Sequence, residues 1–184
     1  MDQYSYAAEL LKKYEGFNRV AVWDVNAWRI GYGSGTITDS TGKYRTVKQG
    51  DTTTEANALK DLTRRVKEFE QRVINKVGAE YWQPLHYQVK AALISLAYNY
   101  GNITKQEIIE AIKTGNNKKI AQAVINSTYN DNKSQSESVR NALRNRRKKE
   151  AAIIEAAPQS KGFNKKLLLI PIIIFAAYYL TKKK

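Results

Sequence analysis

The sequence predicts an α+β fold that consists of an N-terminal helix, a small antiparallel β-sheet and a mainly helical C-terminal lobe. Three observations lead to this prediction. Apolar residues recur at helical spacing in residues 4–14, two β-prone runs flank a short connection in residues 19–32, and helical periodicity returns after Thr52. With 184 residues and a hydrophobic fraction of 42%, the chain is long enough and apolar enough to bury a core.

The first helix is amphipathic and is expected to end at Gly16, a residue type that commonly closes helices. The apolar stripe of this helix consists of Tyr4, Ala7, Ala8, Leu11 and Tyr14. The β-prone runs Arg19–Trp23 and Trp28–Tyr32 then surround the connection DVNA, which predicts a β-hairpin. Turn signals at 40–42 (STG) and 49–51 (QGD) indicate that a small, turn-rich sheet continues beyond the hairpin.

From Thr52 onward the pattern is helical. Thr52 and Glu55 have the spacing of a capping box at a helix start. The apolar stripe of this helix consists of Ala56, Leu59, Leu62, Val66, Phe69, Val73 and Val77. Pro84 is suited to open the next helix, which is expected to end at Gly101. Because that helix is apolar nearly all round, we expect neighbouring elements to bury it on every side.

Further helical patterns complete the lobe. Thr104 and Glu107 repeat the capping-box spacing, and the helix that they begin is expected to stop near Gly115. Shorter helical patterns follow at 117–126 and 134–156. The sequence contains no internal repeat, so the lobe is expected to be a bundle of unlike helices.

The C-terminal end differs in composition from the rest of the chain. Residues 158–166 form a basic linker, and residues 167–181 form a hydrophobic segment with lysines on both sides. The 14 uncharged residues from Leu167 to Leu180 span roughly 21 Å as a helix, which is less than the bilayer core of about 30 Å. Flanking lysines that snorkel would extend the span to about 19 residues, 163–181. We therefore predict a C-terminal membrane helix, although a buried core helix has the same length.

The residue types present exclude several kinds of functional site. The chain has no cysteine, which excludes disulfides, thiolate zinc sites and a cysteine nucleophile. It has one histidine, His86, so multi-histidine metal sites are excluded and a Ser-His-Asp triad could rest only on this residue. No metal-ligand cluster is visible in the sequence, and we expect any catalysis to use carboxylates, hydroxyl groups or cationic side chains.

The net charge of +14 predicts an anionic partner or surface. The positive charge is densest at 140–150, in the run RNALRNRRKKE. A solvated helix face and attraction to an anionic polymer both explain this run. Nucleic acid is the less favoured partner, because aromatic residues do not interleave with the basic ones as a stacking platform requires. The N-terminus lacks the basic start and apolar run of a signal peptide.

Two acids, Glu15 and Asp24, lie nine positions apart among aromatic residues and glycines. Glycoside hydrolysis needs a proton donor and a second group that stabilises the cation or positions water, and two carboxylates in different environments commonly supply both. Glu15 is expected beside Tyr14 and Phe17, where apolar rings favour the protonated form that a general acid needs. Asp24, at the hairpin turn, is expected to be wetter and ionised. Taken alone, the pair is weak support for catalysis, because a helix-end acid and a turn aspartate would show the same pattern.

The order of several short motifs is more specific than any one of them. A Glu-Gly pair ends the first helix, Asp24 follows nine positions after the glutamate, and the segment RIGYG comes next. Three further segments continue the pattern: GDTTTEANALKDL (50–62), YQVKAALISLAYNYG (87–101) and RNRRKKEAAI (144–153). Over roughly residues 5–156, this order and spacing resemble the phage lysozymes of glycoside hydrolase family 24, the T4-lysozyme-like endolysins.

The resemblance implies a lysozyme-like domain over residues 1–157 that acts as a peptidoglycan-degrading muramidase. It implies cleavage of the β-1,4 bond between N-acetylmuramic acid and N-acetylglucosamine, with bacterial peptidoglycan as the partner and no cofactor. Glu15 and Asp24 match the catalytic positions of the family pattern. The residues expected to line a sugar cleft are Tyr32, Gln88 and Asn99.

One position departs from the family pattern. Arg29 stands where these lysozymes usually carry a threonine that helps to position the attacking water. Ser34 or Thr36 is a candidate to take over that role, whereas Arg29 is a candidate to bind saccharide or to hold Asp24 by an ion pair. The departure leaves two reactions open, namely hydrolysis and the lytic transglycosylation that yields an anhydro sugar.

The leading hypothesis is a membrane-anchored muramidase that a phage carries in its virion for genome entry or uses to lyse its host. The expected location is the virion membrane or the host inner membrane, with the enzyme on the cell-wall side. The expected partners are peptidoglycan, the lipid membrane and other virion proteins. One alternative is a protein that keeps the lysozyme fold without catalysis and binds the wall. Another is a nucleic-acid-binding membrane protein that uses the basic run at 140–150.

Overall fold

The computed structural model describes residues 2–128 and 136–160, and in these residues it confirms the predicted α+β fold. An N-terminal helix is followed by two small antiparallel sheets and a helical lobe. The helices are α1 (Gln3–Glu15), α2 (Glu55–Val77), α3 (Ala79–Trp82), α4 (Tyr87–Tyr100), α5 (Gln106–Lys113), α6 (Asn117–Asn126) and α7 (Glu137–Ala156). The strands are β1 (Asn18–Asp24), β2 (Ala27–Gly31), β3 (Thr36–Thr38) and β4 (Tyr44–Thr46).

Helix α1 ends at the candidate acid. The Asp2 side chain caps its start by accepting the Ser5 backbone N–H at 2.9 Å. The buried residues of α1, which pack towards α4 and α2, are Ala7, Ala8 and Leu11. Gly16 follows the helix with a φ of 66°, as expected of a glycine stop. Glu15 is therefore the last helical residue, and its carboxyl group lies against Gly33 in the sheet region.

Strands β1 and β2 form the predicted hairpin. Their register pairs Asp24 with Ala27, so the connection has only two residues, Val25 and Asn26. The Asn26 N–H donates to the Asp24 carbonyl at 2.5 Å. Val25 has a φ of 51°, in the left-handed region, where a β-branched side chain is strained. Asp24 is thus directly followed by a strained turn.

Replacing Val25 by Asn is expected to stabilise the protein by about 0.5–1 kcal/mol, because Asn tolerates the left-handed conformation better than a β-branched residue. Val25 is 90% exposed, so the change removes little buried apolar area. Urea titration measures the free energy of unfolding. Val22→Asn is the matched control, since Val22 is exposed on the same hairpin without a positive φ, and it should give no gain. A Val25→Asn protein no more stable than wild type would contradict strain at this turn.

The sheet region contains two separate two-stranded sheets rather than the single sheet that we predicted. Strands β3 and β4 form the second sheet, with Ile37 paired to Arg45. An isolated bridge between Val20 and Thr52 ties the hairpin to the segment before α2. The region has a small core of its own, formed by Ala21, Ile30 and Val47 with Trp28 and Ile37 packed against it. Strands of three residues carry too little pattern for a sequence to show how they divide between sheets.

Helix α2 begins later than predicted. Its N-cap is Thr54, whose hydroxyl accepts the Asn57 N–H at 3.2 Å, so the predicted capping box from Thr52 is wrong. Ala56 and Leu59, which we predicted on the buried stripe, are exposed. The buried face of α2 includes two acids, Asp61 and Glu70, that have polar partners. The prediction was partly wrong because it counted only apolar residues as buried. The members of the buried face are Ala58, Asp61, Leu62, Val66, Phe69, Glu70, Val73 and Val77.

Helix α4 is the central helix of the lobe, as predicted, but it begins at Tyr87 rather than at Pro84. The short helix α3 precedes it, and Pro84 lies in the turn between the two helices. Every residue from Val89 to Tyr98 is buried, because α1, α2 and α7 all pack against α4. This helix therefore connects the element that carries Glu15 with the closing helix of the lobe.

The second predicted capping box is also wrong. Helix α5 follows Lys105, which provides no side-chain cap, rather than beginning at Thr104. Helix α7 begins after Ser136, whose hydroxyl accepts the Val139 N–H at 3.3 Å. A capping box is defined by two residue types three positions apart, and this spacing also occurs where the backbone places the helix start elsewhere.

After α7 the chain is fastened to the start of α6. The Asn117 side-chain amide donates to the Ala157 carbonyl at 2.9 Å. The Gln159 side-chain oxygen accepts the Asn117 backbone N–H at 3.2 Å, and the Gln159 amide donates to the Gly115 carbonyl. The first residues of the predicted linker are thus held by the lobe.

Across residues 2–128 and 136–160, no helix is both long and apolar enough to cross a bilayer. The predicted membrane segment, residues 167–181, and linker residues 161–166 lie outside the described residues. The C-terminal membrane helix, and the division of the chain into domain, linker and membrane segment, therefore stay predictions.

Candidate active site

Glu15 occupies a partly enclosed position at the carboxyl end of α1. Its side chain is 20% exposed, and Arg146 donates from Nη1 to Glu15 Oε1 at 2.8 Å. On the other side lies Gly33, where a Cβ atom would be only 3.0 Å from Glu15 Oε2. Gly33 has a φ of 69°, so both its backbone conformation and the closeness of the carboxylate favour glycine. Glu15 is therefore held between a cation and a bare backbone segment.

The surroundings of Glu15 are more polar than the apolar setting that we expected, because a guanidinium group contacts its carboxyl group. The ring of Tyr14 stacks on the guanidinium of Arg146, with the Cζ atom 4.8 Å from the ring centroid. Phe17 instead packs against Tyr32, with ring centroids 5.6 Å apart. The nearest polar partner of Glu15 is a guanidinium group, which comes from the opposite end of the sequence, 131 positions away.

Asp24 lies at the end of β1, and its side chain is 62% exposed to solvent, as its position at the hairpin turn predicts. Arg29 on β2 pairs with it, with Arg29 Nε 3.8 Å from Asp24 Oδ2. This is the ion pair that we considered as one role of Arg29. At this length and exposure such a pair adds at most about 1 kcal/mol to stability. Gly35 gives Arg29 room, since a Cβ there would lie 2.8 Å from Arg29 Nη1.

Ser34 and Thr36, the two candidates to position water, are held by the buried acid Asp61. Ser34 Oγ donates to Asp61 Oδ2 at 2.6 Å, and Thr36 Oγ1 donates to Asp61 Oδ1 at 3.0 Å. Thr38 and Arg64 also donate to Asp61, at 2.7 and 2.8 Å. Burial raises the pKa of Asp61, but hydrogen bonds from Arg64, Ser34 and Thr38 outweigh it and hold the pKa below its ordinary value. These contacts favour a structural role for both hydroxyl groups.

The three residues predicted to line a sugar cleft lie in different settings. Tyr32 is 4% exposed, and its hydroxyl donates to Glu55 Oε1 at 3.0 Å. Burial, and then the contact with Glu55, raise the pKa of Tyr32 to about 12. Such burial argues against a cleft-lining role for Tyr32. Gln88 and Asn99 on α4 are both half-buried, and their contact with sugar stays a prediction.

A model of the phage lysozyme family matches residues 12–150 of this chain. The chain belongs to the phage lysozyme family. The match includes Glu15 and Asp24 near its beginning and Arg146 near its end. Within the part of the chain that the structure describes, no group of three or more acidic or histidine side chains is arranged to hold a metal ion.

Solved structures of other proteins share the fold of this phage lysozyme family member. An endolysin from Escherichia coli O157:H7 phage FAHEc1 is similar with a TM-score of 0.65 and 26% identity, over 88% of this chain and 98% of that one. The muramidase domain of SpmX from Asticaccaulis excentricus is similar with a TM-score of 0.62 and 23% identity, over 83% and 95% of the two chains. A P22 lysozyme variant is similar with a TM-score of 0.62 and 21% identity, over 82% of this chain and 95% of that one. No curated protein sequence is significantly similar to the chain.

Arg146 is the residue of the candidate site that sequence reasoning missed. Within the basic run 140–150, we interpreted it as part of a solvated face or of an anion-binding surface. The structure instead makes it the direct partner of Glu15, with a side chain only 11% exposed. The signal that could have found it is the resemblance of 144–153 to the closing Arg-Arg-x-x-Glu helix of the phage lysozyme family, because charge density alone does not separate a buried arginine from exposed ones.

Proposed function

We propose that this protein cleaves the β-1,4 bond between N-acetylmuramic acid and N-acetylglucosamine in bacterial peptidoglycan. Membership of the phage lysozyme family supports a peptidoglycan-degrading glycoside hydrolase. The observation that carries the proposal is Glu15, a partly exposed carboxyl group at a helix end that is held by one hydrogen bond from Arg146. One of its oxygens accepts that bond, and the other, Oε2, lies against the Gly33 backbone.

In the proposed reaction, Glu15 donates a proton to the oxygen of the leaving sugar. Asp24, exposed on the adjacent hairpin, stabilises the positive charge that develops on the sugar ring or orients the attacking water. The different surroundings of the two carboxyl groups suit these different roles. Arg29 keeps Asp24 oriented through their ion pair.

Lytic transglycosylation is a second candidate reaction, and Arg29 is the observation that favours it. Arg29 stands where the family pattern has a threonine, and its guanidinium is paired with Asp24. In that reaction Glu15 protonates the leaving O4 as the C1–O4 bond breaks, and the C6 hydroxyl of the muramic acid attacks its own C1 and gives its proton to a carboxylate, so no water is consumed. The glycan strand then ends in a 1,6-anhydro sugar instead of a reducing sugar.

Mass analysis of peptidoglycan digested by the full-length protein tests the activity and the reaction type together. Products with reducing ends support hydrolysis, and products lighter by one water support transglycosylation. A shift from anhydro to reducing products in Arg29→Thr would assign the difference to Arg29. Wall binding without any released muropeptide would refute the proposed enzyme and support a wall-binding protein with a lysozyme fold.

Gly33→Ala is expected to reduce the rate of peptidoglycan cleavage by about tenfold, because the added Cβ displaces Glu15 by a few tenths of an ångström. It should also destabilise the protein by about 1 kcal/mol through the left-handed backbone. Gly42→Ala is the matched control, since Gly42 has a φ of 87° and open space around a Cβ. The control should lose similar stability and keep full activity. Equal activity of both variants would show that Glu15 does not depend on Gly33.

We further propose that residues 167–181 anchor the enzyme in a virion or host inner membrane, on the cell-wall side, for genome entry or host lysis. The apolar run with lysines on both sides supports this anchor. Flotation of the full-length protein with anionic liposomes tests it. Ile173→Asp should abolish flotation at a salt concentration that screens surface charge, whereas flotation unchanged by Ile173→Asp would refute the anchor.

A further inference from the structure

Arg146 joins two carboxylates, one at the candidate active site and one inside the lobe. Besides its contact with Glu15, it donates from Nε to Glu150 Oε1 at 3.3 Å. Its Nη2 lies 3.4 Å from both the carbonyl and the hydroxyl oxygen of Ser95. All three guanidinium nitrogens are therefore engaged, and the Tyr14 ring covers one face of the group. A planar donor held at three points has a single orientation towards Glu15.

Glu150 is the inner carboxylate, and it is fully buried. Ser95 Oγ donates to its Oε1 at 2.7 Å. Arg147, which is also fully buried, lies with Nε 2.9 Å from Glu150 Oε2. Burial raises the pKa of Glu150 above its ordinary value, although Arg147 and Arg146 act in the opposite direction. Burying a charged carboxylate costs free energy unless cations pair with it. Glu150 has two such partners on its own cation-rich helix, the guanidinium groups of Arg146 and Arg147.

The cluster contains two carboxylates and two guanidinium groups, so their charges balance when all four are ionised. A neutral residue at position 150 would leave Glu15 as the one carboxylate of this cluster, beside two guanidinium groups. The added positive charge would favour the ionised form of Glu15 over the protonated acid. Arg146 would also lose the acceptor that fixes its Nε, so both the charge and the direction of its contact with Glu15 would change.

We propose that Glu150 is a positioning residue for the reaction at Glu15: it orients Arg146 and offsets its charge, so that Glu15 can hold and release a proton. This inference rests on the proposed function, in which Glu15 is the general acid. The other titratable groups around the cluster are Tyr14 on α1, Arg65 on α2, and Tyr98 and Tyr100 on α4. None of these described groups is a carboxylate, so apart from Glu15 itself the negative charge that offsets Arg146 and Arg147 comes from Glu150.

Glu150→Gln tests the proposal because glutamine keeps the size and one acceptor oxygen but removes the charge. With purified full-length protein on peptidoglycan, we expect kcat to fall about tenfold, KM to stay unchanged, and the alkaline limb of the pH–rate profile to move to lower pH. Glu155→Gln is the matched control, since Glu155 lies exposed on the same helix and should match wild type in all three. A folded Glu150→Gln protein with wild-type kcat and pH profile would overturn the proposal.

A double-mutant cycle separates positioning from general destabilisation. In an Arg146→Gln background, Glu150→Gln should change kcat less than twofold, because its effect passes through Arg146. An equal loss of activity in both backgrounds would show that Glu150 serves only the fold. Ser95→Ala answers the same question if Glu150→Gln does not fold: it removes one donor to Glu150 and should give a smaller loss of kcat with the same shift of the alkaline limb. A folded Ser95→Ala protein without that shift would count against the proposal.

Failure of the proposed function would be visible separately, as absence of released muropeptides from the wild-type protein itself. The positioning role then still has a readout that needs no activity. Carbon-13 NMR follows the pH titration of the Glu15 carboxyl signal, which should move to lower pH in Glu150→Gln and stay in place in Glu155→Gln. A Glu15 titration that is the same in all three proteins would overturn the inference.

Discussion

Glu15→Gln is expected to lower the rate of peptidoglycan cleavage by about 10²- to 10⁴-fold and to leave the fold intact. Glutamine has the size of glutamate, but its amide cannot donate the proton that the leaving sugar needs. The side chain is 20% exposed, and Arg146 keeps Glu150 as its second acceptor, so the substitution does not leave the guanidinium without a partner. A large loss of rate with little loss of stability is therefore the expected combination.

Zymography in peptidoglycan gels and clearing of wall suspensions measure this loss, and thermal unfolding checks the fold. Glu9→Gln is the matched control, since Glu9 lies on the same helix, is exposed and forms a surface pair with Lys12. It should clear the wall as wild type does. Equal clearing by Glu15→Gln and wild type would remove Glu15 from the catalytic step.

Asp61→Ala is expected to destabilise the protein by about 3 kcal/mol, the largest change in stability that we predict from a single side chain. The substitution removes the acceptor of three hydroxyl groups and of one guanidinium group. Ser34 and Thr38 are buried, so their hydroxyls would lose a partner that water replaces poorly. Arg64 keeps its ion pair with Glu68 and its position over the Tyr44 ring, which limits the loss.

The stability that the Asp61 carboxylate contributes is expected to decrease as the pH falls. Because the pKa of Asp61 is lower in the folded protein than its ordinary value, its ionised form contributes stability above that ordinary value, and this contribution is lost as the pH falls through the folded pKa. The difference in unfolding free energy between wild type and Asp61→Asn should therefore shrink on going from pH 7 to pH 2.

Guanidinium titrations at several pH values measure this difference. Asp39→Ala is the control, because Asp39 is an exposed loop acid, and its removal should cost much less. A difference between wild type and Asp61→Asn that stays constant with pH would contradict the role assigned to the Asp61 carboxylate.

The sequence predicted the parts of the fold that local pattern determines. Helix α1 repeats its apolar residues at helical spacing and meets a glycine, so its end, and with it Glu15, was predictable. The buried α4 was predictable because a helix that is apolar all round has to be enclosed. The hairpin followed from two β-prone runs, which placed Asp24 at its turn.

The remaining features depend on contacts between distant segments. Arg146 and Glu15 meet although no local signal connects them, and a charged run gives no indication of which cation faces inward. The buried Asp61 accepts hydrogen bonds from Ser34 and Thr38, which lie 27 and 23 positions away in the sheet region, and only Arg64 comes from the same helix. The capping boxes predicted for α2 and α5 were wrong because backbone geometry, rather than residue type, decides which residue caps a helix.

The attachment of Asn117 to Ala157 and Gln159 sets a mechanical limit on a membrane-anchored enzyme. Since the chain is held against the lobe up to Gln159, no more than the six residues 161–166 separate the described part of the chain from the predicted anchor at 167. Fully stretched, six residues reach roughly 20 Å. An anchored enzyme would therefore act only within a thin layer next to the bilayer. It would cleave only the peptidoglycan strands that lie in that layer.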